Sequence, residues 1–131
     1  MNADIVKDIA EYLEDQSVGT VGTDMFVGMV REDVNNAVLL IGTSSGIQEP
    51  YYDIYEEVID IYSRNQSSED SYSKFQEVFN VLHRLSNTET DNAYIYFAHS
   101  LEGVVDAGRD TNDRSLYRGS FRIIYRDKTI S

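Results

Sequence analysis

The chain has 131 residues, 41% of them hydrophobic, and a formal net charge of −12 at pH 7. That length and apolar content suit one compact domain, residues 1–131, with a core of its own. With no cysteine there is no disulfide framework, no thiolate chemistry and no cysteine-based zinc site.

The longest apolar run, Ala37-Val38-Leu39-Leu40-Ile41, is far too short to span a membrane. The N-terminus has neither the basic nor the apolar region of a signal peptide, so a soluble protein retained in the cell that makes it is expected. Charge is unevenly spread: residues 1–108 hold 5 Lys/Arg against 20 Asp/Glu, and residues 109–131 hold 6 against 3. An acidic chain makes a poor nucleic-acid binder, because neutralising phosphates takes a basic footprint. A basic segment on an acidic body suits a neighbouring copy instead, through unlike patches that generate rings or filaments. Simple solvation of both faces is the alternative.

Residues 2–14 predict a first helix, with Ile5, Ile9, Tyr12 and Leu13 inward and Asp4, Lys7, Asp8, Glu11 and Glu14 outward. A glycine-punctuated link over 17–23 leads to a strand over 25–30 and a polar turn over 31–36. Residues 37–41, apolar on both faces, predict an internal strand. Residues 42–50 then form a loop ending in the one proline, long enough to suggest a functional role.

Over 55–63, Glu57, Ile59, Ile61 and Ser63 share one strand face, and Val58, Asp60 and Tyr62 the other. Tyr51, Ile54, Tyr55, Val58, Ile59 and Tyr62 also fit a helical stripe, so periodicity alone leaves two readings; β-branched and tyrosine content favours the strand. A second helix begins at Glu69, carries Tyr72, Phe75, Val78, Phe79, Leu82 and Leu85 on one stripe, and has Ser67 or Ser68 as its N-cap. Glu69 and Asp70 suit the positive end of its dipole; His83 and Arg84 suit its last turn.

A polar loop over 86–92 precedes strands over 93–98 and 104–107 and a turn-rich connection over 108–115. The last strand, 116–126, alternates: Tyr117, Gly119, Phe121, Ile123 and Tyr125 face the core, and Arg118, Ser120, Arg122, Ile124 and Arg126 face away. The fold class is α+β, a mixed, mostly antiparallel sheet flanked by two helices in the order α-β-β-β-α-β-β-β.

Few patterns suggest chemistry. Gly42-Thr43-Ser44-Ser45-Gly46 matches the nucleophile-elbow spacing, with His99 as a conceivable base, but Ile47-Gln48-Glu49-Pro50 starts a helix badly and a flexible loop is the simpler reading. His83 and His99 lack metal-pair spacing. Asp110-Thr111-Asn112-Asp113-Arg114 opens like a calcium loop, yet Arg114, Ser115 and Phe121 occupy positions that an EF-hand needs for ligands and glycine; only a loose surface cation site stays open. Glycine pairs at 19/22 and 42/46 lack the Gly-Lys-Ser/Thr of a phosphate loop. Glu56, Glu57 and Asp60 have no pocket to serve and suit a solvated or interface face. No catalytic residue, cofactor or metal is therefore expected, nor a ligand crevice with named residues.

The ten tyrosines pack strands or enrich an interface. The row Arg118, Arg122 and Arg126 either guards a strand against aggregation or forms the basic half of a subunit contact, the reading favoured here, with Glu56, Glu57 and Asp60 as acidic candidates.

Several stretches resemble one family: the acidic first helix, Val58-Ile59-Asp60-Ile61-Tyr62-Ser63-Arg64, Ser67-Ser68-Glu69-Asp70 and Val81-Leu82-His83-Arg84-Leu85. The ending Gly108-Arg109-Asp110 with Tyr117-Arg118-Gly119-Ser120-Phe121-Arg122-Ile123-Ile124-Tyr125 completes the set. Together they are similar to the tail terminator (minor capsid or tail completion) proteins of long-tailed bacteriophages. The resemblance implies a homo-oligomeric ring, typically of six subunits, that caps the tail tube and faces the head–tail connector. It implies a virion protein at the head–tail junction, assembled in the host cytoplasm, with no catalytic residues. An adaptor ring on the head side of the same junction is the neighbouring alternative. The loop Gly42, Thr43, Ser44, Ser45, Gly46 is the candidate partner contact.

Overall fold

The computed structural model describes residues 4–29, 31–42, 47–48 and 54–128. Helix α1 (Ile5–Asp15) is followed by strands β1 (Met25–Val27), β2 (Ala37–Gly42), β3 (Ile47–Gln48) and β4 (Ile54–Asn65). Helix α2 (Ser68–Leu82) then leads to β5 (Leu85–Glu89), β6 (Ala93–Ser100), β7 (Val105–Arg109) and β8 (Ser115–Asp127). The α+β class and the element order hold, with β3 and β5 added to the strands expected.

All eight strands belong to one sheet, ordered β1-β2-β4-β8-β6-β5, with β3 against β4 and β7 against β8. Among the described residues only the β1–β2 pair is parallel; the remaining strand pairs are antiparallel. The spine is β4–β8, paired from Ile54↔Arg126 to Asn65↔Ser115. Its alternation is as expected: Ile59, Ile61, Phe121 and Ile123 are fully buried. They share one core with Ile5, Ile9 and Leu13 of α1 and Phe75, Val78 and Leu82 of α2. Both helices therefore lie on the same side of the sheet, and the alternate residues of β4 and β8 face away from them.

Local chemistry explains the helix starts. Asp4 and Ser67 are extended N-caps that accept from the amides of Lys7 and Asp70, satisfying donors that the first turn leaves free. Ser63 and Ser71 tie α2 to the spine: Ser63 Oγ donates to Ser71 O at 2.6 Å, and Ser71 Oγ donates to Ser63 O and Ser115 O at 3.1 Å each.

Four expectations are corrected. The second helix stops at Leu82, because His83 takes up extended backbone and Arg84 has φ +64, which turns the chain so that Leu85 pairs with Ala98. His83 and Arg84 thus follow the helix; the His83 ring stacks on Phe79 at 4.7 Å and its Nδ1 accepts from the Ser100 amide. The start of the expected 86–92 loop is strand β5, whose polar residues suit the outermost position of the sheet order. The strand over 25–30 ends at Val27, since Gly28 takes φ +85. Asp8, expected outward, is 1% exposed and points inward.

Candidate functional site

The sheet face opposite the helices gathers most of the charged residues singled out in the sequence. Antiparallel register sets Val58 opposite Arg122, Asp60 opposite Ser120, Tyr62 opposite Arg118 and Ile54 opposite Arg126, so the arginine row runs down the middle of this face. Two of the three arginines are matched inside the chain. Arg122 meets Glu56 at 2.7 Å and Arg118 meets Glu102 at 3.3 Å. The hydrogen bond to Glu56 holds the Arg122 guanidinium above its ordinary pKa. Asp60 accepts from the Ser120 hydroxyl. Arg126 makes no ion pair among the described residues; its guanidinium lies 5.8 Å above the Tyr94 ring, and its field reaches Glu89.

Glu57 does not join this group. It alternates onto the helix side, where burial, followed by the Asp4 carboxylate, raises its pKa. Gly42 closes β2 there, and a Cβ at that position would lie 3.1 Å from Val6 Cγ2 and 3.2 Å from Glu57 Oε1. Thr43, Ser44, Ser45 and Gly46 lie outside the described residues. His99 sits on the open face opposite Arg122, 5.2 Å from the Phe97 ring, and its buried Nδ1 has no hydrogen-bond partner among the described residues.

At one end of the face is a groove of about 450 Å³ whose apolar wall is Ala37, Leu39, Ile41, Tyr62 and Leu116. Two buried arginines close that end. Arg114, 2% exposed, bonds Asp110 at 2.9 Å, Glu32 Oε1 at 2.7 Å and the Glu32 carbonyl at 2.8 Å. Arg64 donates to the carbonyls of Arg31 and Val34, and burial, then the neighbouring Arg114, lowers its pKa. Together they hold the β1–β2 connection over the sheet. Burial pushes the Asp110 carboxyl upward, but bonds from Arg114 and the Asn112 amide outweigh it and leave its pKa below the ordinary value. The calcium-like loop has thus committed its leading carboxylate to the chain's own guanidinium. Among the described residues no group of three or more His, Asp or Glu is placed to hold a metal ion.

Sequence reasoning missed Arg64 and Arg114 as clamps. Arg64 follows the strand expected over 55–63 and Arg114 lies in the turn-rich connection over 108–115, and the carbonyls they hold, those of Arg31, Glu32 and Val34, are distant in sequence. It also missed the exposed aromatics of β6. There the register shifts between Ile95 and Phe97, leaving Tyr96 and Phe97 outward in succession.

The described residues thus combine an open sheet face with paired charges, an apolar groove and exposed aromatic rings. No individual curated protein matches the chain significantly. Residues 12–127 match a family described as bacteriophage tail terminator protein, across β1 to β8 and both helices except the first turns of α1. The chain belongs to the bacteriophage tail terminator protein family.

Proposed function

We propose that this tail component of the virion works as a ring, typically of six copies, that closes the head-proximal end of the tail tube and receives the head–tail connector. Its work is binding and not catalysis. The observation that carries the reading is the family match over residues 12–127. The open sheet face supports it: among the described residues the eight-stranded sheet is covered by helices on one side only, which leaves the other available to subunits or partners. On this reading the loop of Gly42, Thr43, Ser44, Ser45 and Gly46 meets the tail tube or the connector. The charged residues of the open face, Glu56, Asp60, Arg118, Arg122 and Arg126, make assembly sensitive to ionic strength.

Native mass and negative-stain images across concentration and salt test the ring. A closed ring of about six subunits that loosens above roughly 0.5 M salt is expected, because screening weakens exposed charge contacts. A dimer that ignores salt argues against the ring. Binding to purified tail tubes and not to DNA-filled heads distinguishes the terminator from an adaptor on the head side.

A further inference from the structure

The ring reading leaves open which surfaces meet, and the β1 end of the sheet differs from the β6 side in shape and charge. At the β1 end a depression of about 400 Å³ is lined by Val21, Met25, Val27 and Met29, with Asp4 and Lys7 also in its wall. Val21 and Val27 are each 39% exposed and Met29 is 81% exposed. Four strands away, the register shift in β6 presents Tyr96 and Phe97 side by side, 37% and 38% exposed. Tyr94 packs edge-on to Tyr96 at 5.2 Å beneath the Arg126 guanidinium. The β1 end is thus an apolar hollow, and the β6 side carries a ridge of exposed aromatic rings.

The charges are complementary as well. Around the β1 end Asp4, Glu14 and Asp24 each accept a backbone amide and make no ion pair among the described residues, while Lys7 pairs with Glu11. Toward the β6 end Arg126 and the exposed Arg84 also make none. A two-fold contact centred on either feature alone would set hollow on hollow or ridge on ridge. A head-to-tail contact sets unlike on unlike, and repeats until it closes.

We propose, on the ring reading above, that successive copies of this chain join by seating the Tyr96–Phe97 ridge of one in the β1-end hollow of the next. Arg84 and Arg126 then face the acids around that hollow.

The chain has no native cysteine, so paired cysteines report the contact without background. Met29→Cys and Phe97→Cys are made on separate chains, with Tyr96→Cys as a second ridge variant and circular dichroism confirming each fold. Under mild oxidation by copper-phenanthroline, a mixture of hollow and ridge variants is expected to give a disulfide dimer that neither gives alone. One chain carrying both substitutions is expected to give a ladder of multimers. A homodimer from either single variant overturns the contact. So does the lack of a mixed dimer in protein that native mass shows to be assembled, and both results leave the ring standing. Protein that stays monomeric at every concentration and gives no mixed dimer overturns contact and ring together.

Discussion

The carboxylate of Asp8, in the first turn of α1, accepts a hydrogen bond from the Thr90 hydroxyl at 2.7 Å across 82 positions of the chain. The same carboxylate takes the Asn92 amide at 2.9 Å and its side-chain nitrogen at 3.1 Å, fastening α1 to the β5–β6 turn. Asp8→Ala strands these donors where water reaches poorly and should cost about 2–3 kcal/mol. A lower urea midpoint with an unchanged slope would register the loss; an unchanged midpoint would show that the turn holds without the carboxylate.

Gly119 of β8 leaves no room for a side chain between Phe75 of α2 and the Gly103 carbonyl. A Cβ there would lie 2.6 Å from Phe75 Cζ and 2.7 Å from the Gly103 carbonyl. Gly119→Ala is expected to destabilise by about 1–3 kcal/mol through overpacking. Adding Phe75→Leu should recover only part of this, since the carbonyl is fixed backbone. Thermal melts of the single and double variants test both statements.

Glu57 makes the chain sensitive to pH in one direction. Its folded pKa is raised by burial and by Asp4, so the folded state binds its proton more tightly than the unfolded state does. Linkage then gives a contribution that favours folding in mild acid and declines as pH rises from about 4.5 through the raised value. Glu57→Gln should remove the decline and raise the melting temperature at pH 7. Melting curves between pH 4 and pH 8 check the slope, which must flatten in the variant.

Arg114 should be the costliest surface-proximal residue to lose. Arg114→Met removes the guanidinium that the Asp110 and Glu32 carboxylates and the Glu32 carbonyl accept from, at about 3 kcal/mol, while the Val34 carbonyl keeps its bond from Arg64. The released β1–β2 connection should then be cut by protease earlier than in the parent chain. Because the Asp110 pKa is held below its ordinary value, its stabilising contribution is present above about pH 4 and is lost as pH falls through the lowered pKa.

The arginine row should divide by partner. Arg126→Glu breaks no ion pair among the described residues and should change folding stability by no more than about 0.5 kcal/mol while impairing assembly. Arg122→Glu sets a carboxylate against Glu56 and should lower the stability of the monomer itself. Denaturation and native mass on the two variants separate these effects; equal losses of folding stability would refute the division.

What the sequence determined by itself was whatever depends on near neighbours. β-branched and tyrosine content favoured β4 as a strand, two-residue alternation gave β4 and β8 their faces, three- and four-residue spacing gave α2 its stripe, and Ser67 or Ser68 marked that helix's start. The α+β class followed, and the motif pattern pointed to the tail terminator family. The boundaries set by positive φ at Gly28 and Arg84, and the polar strand β5, escaped because propensity says little about a turn or an edge that tertiary packing imposes.

Only the tertiary structure decided which charges are spent. Asp8 turned inward because Thr90 and Asn92 arrive above it, and the Arg118 and Arg122 charges were matched because Glu102 and Glu56 arrive beside them. Arg126, on the same strand face, met an aromatic ring instead. Strand register and loop placement set those meetings, and both arise from burying one shared core, which no local stretch of sequence encodes alone.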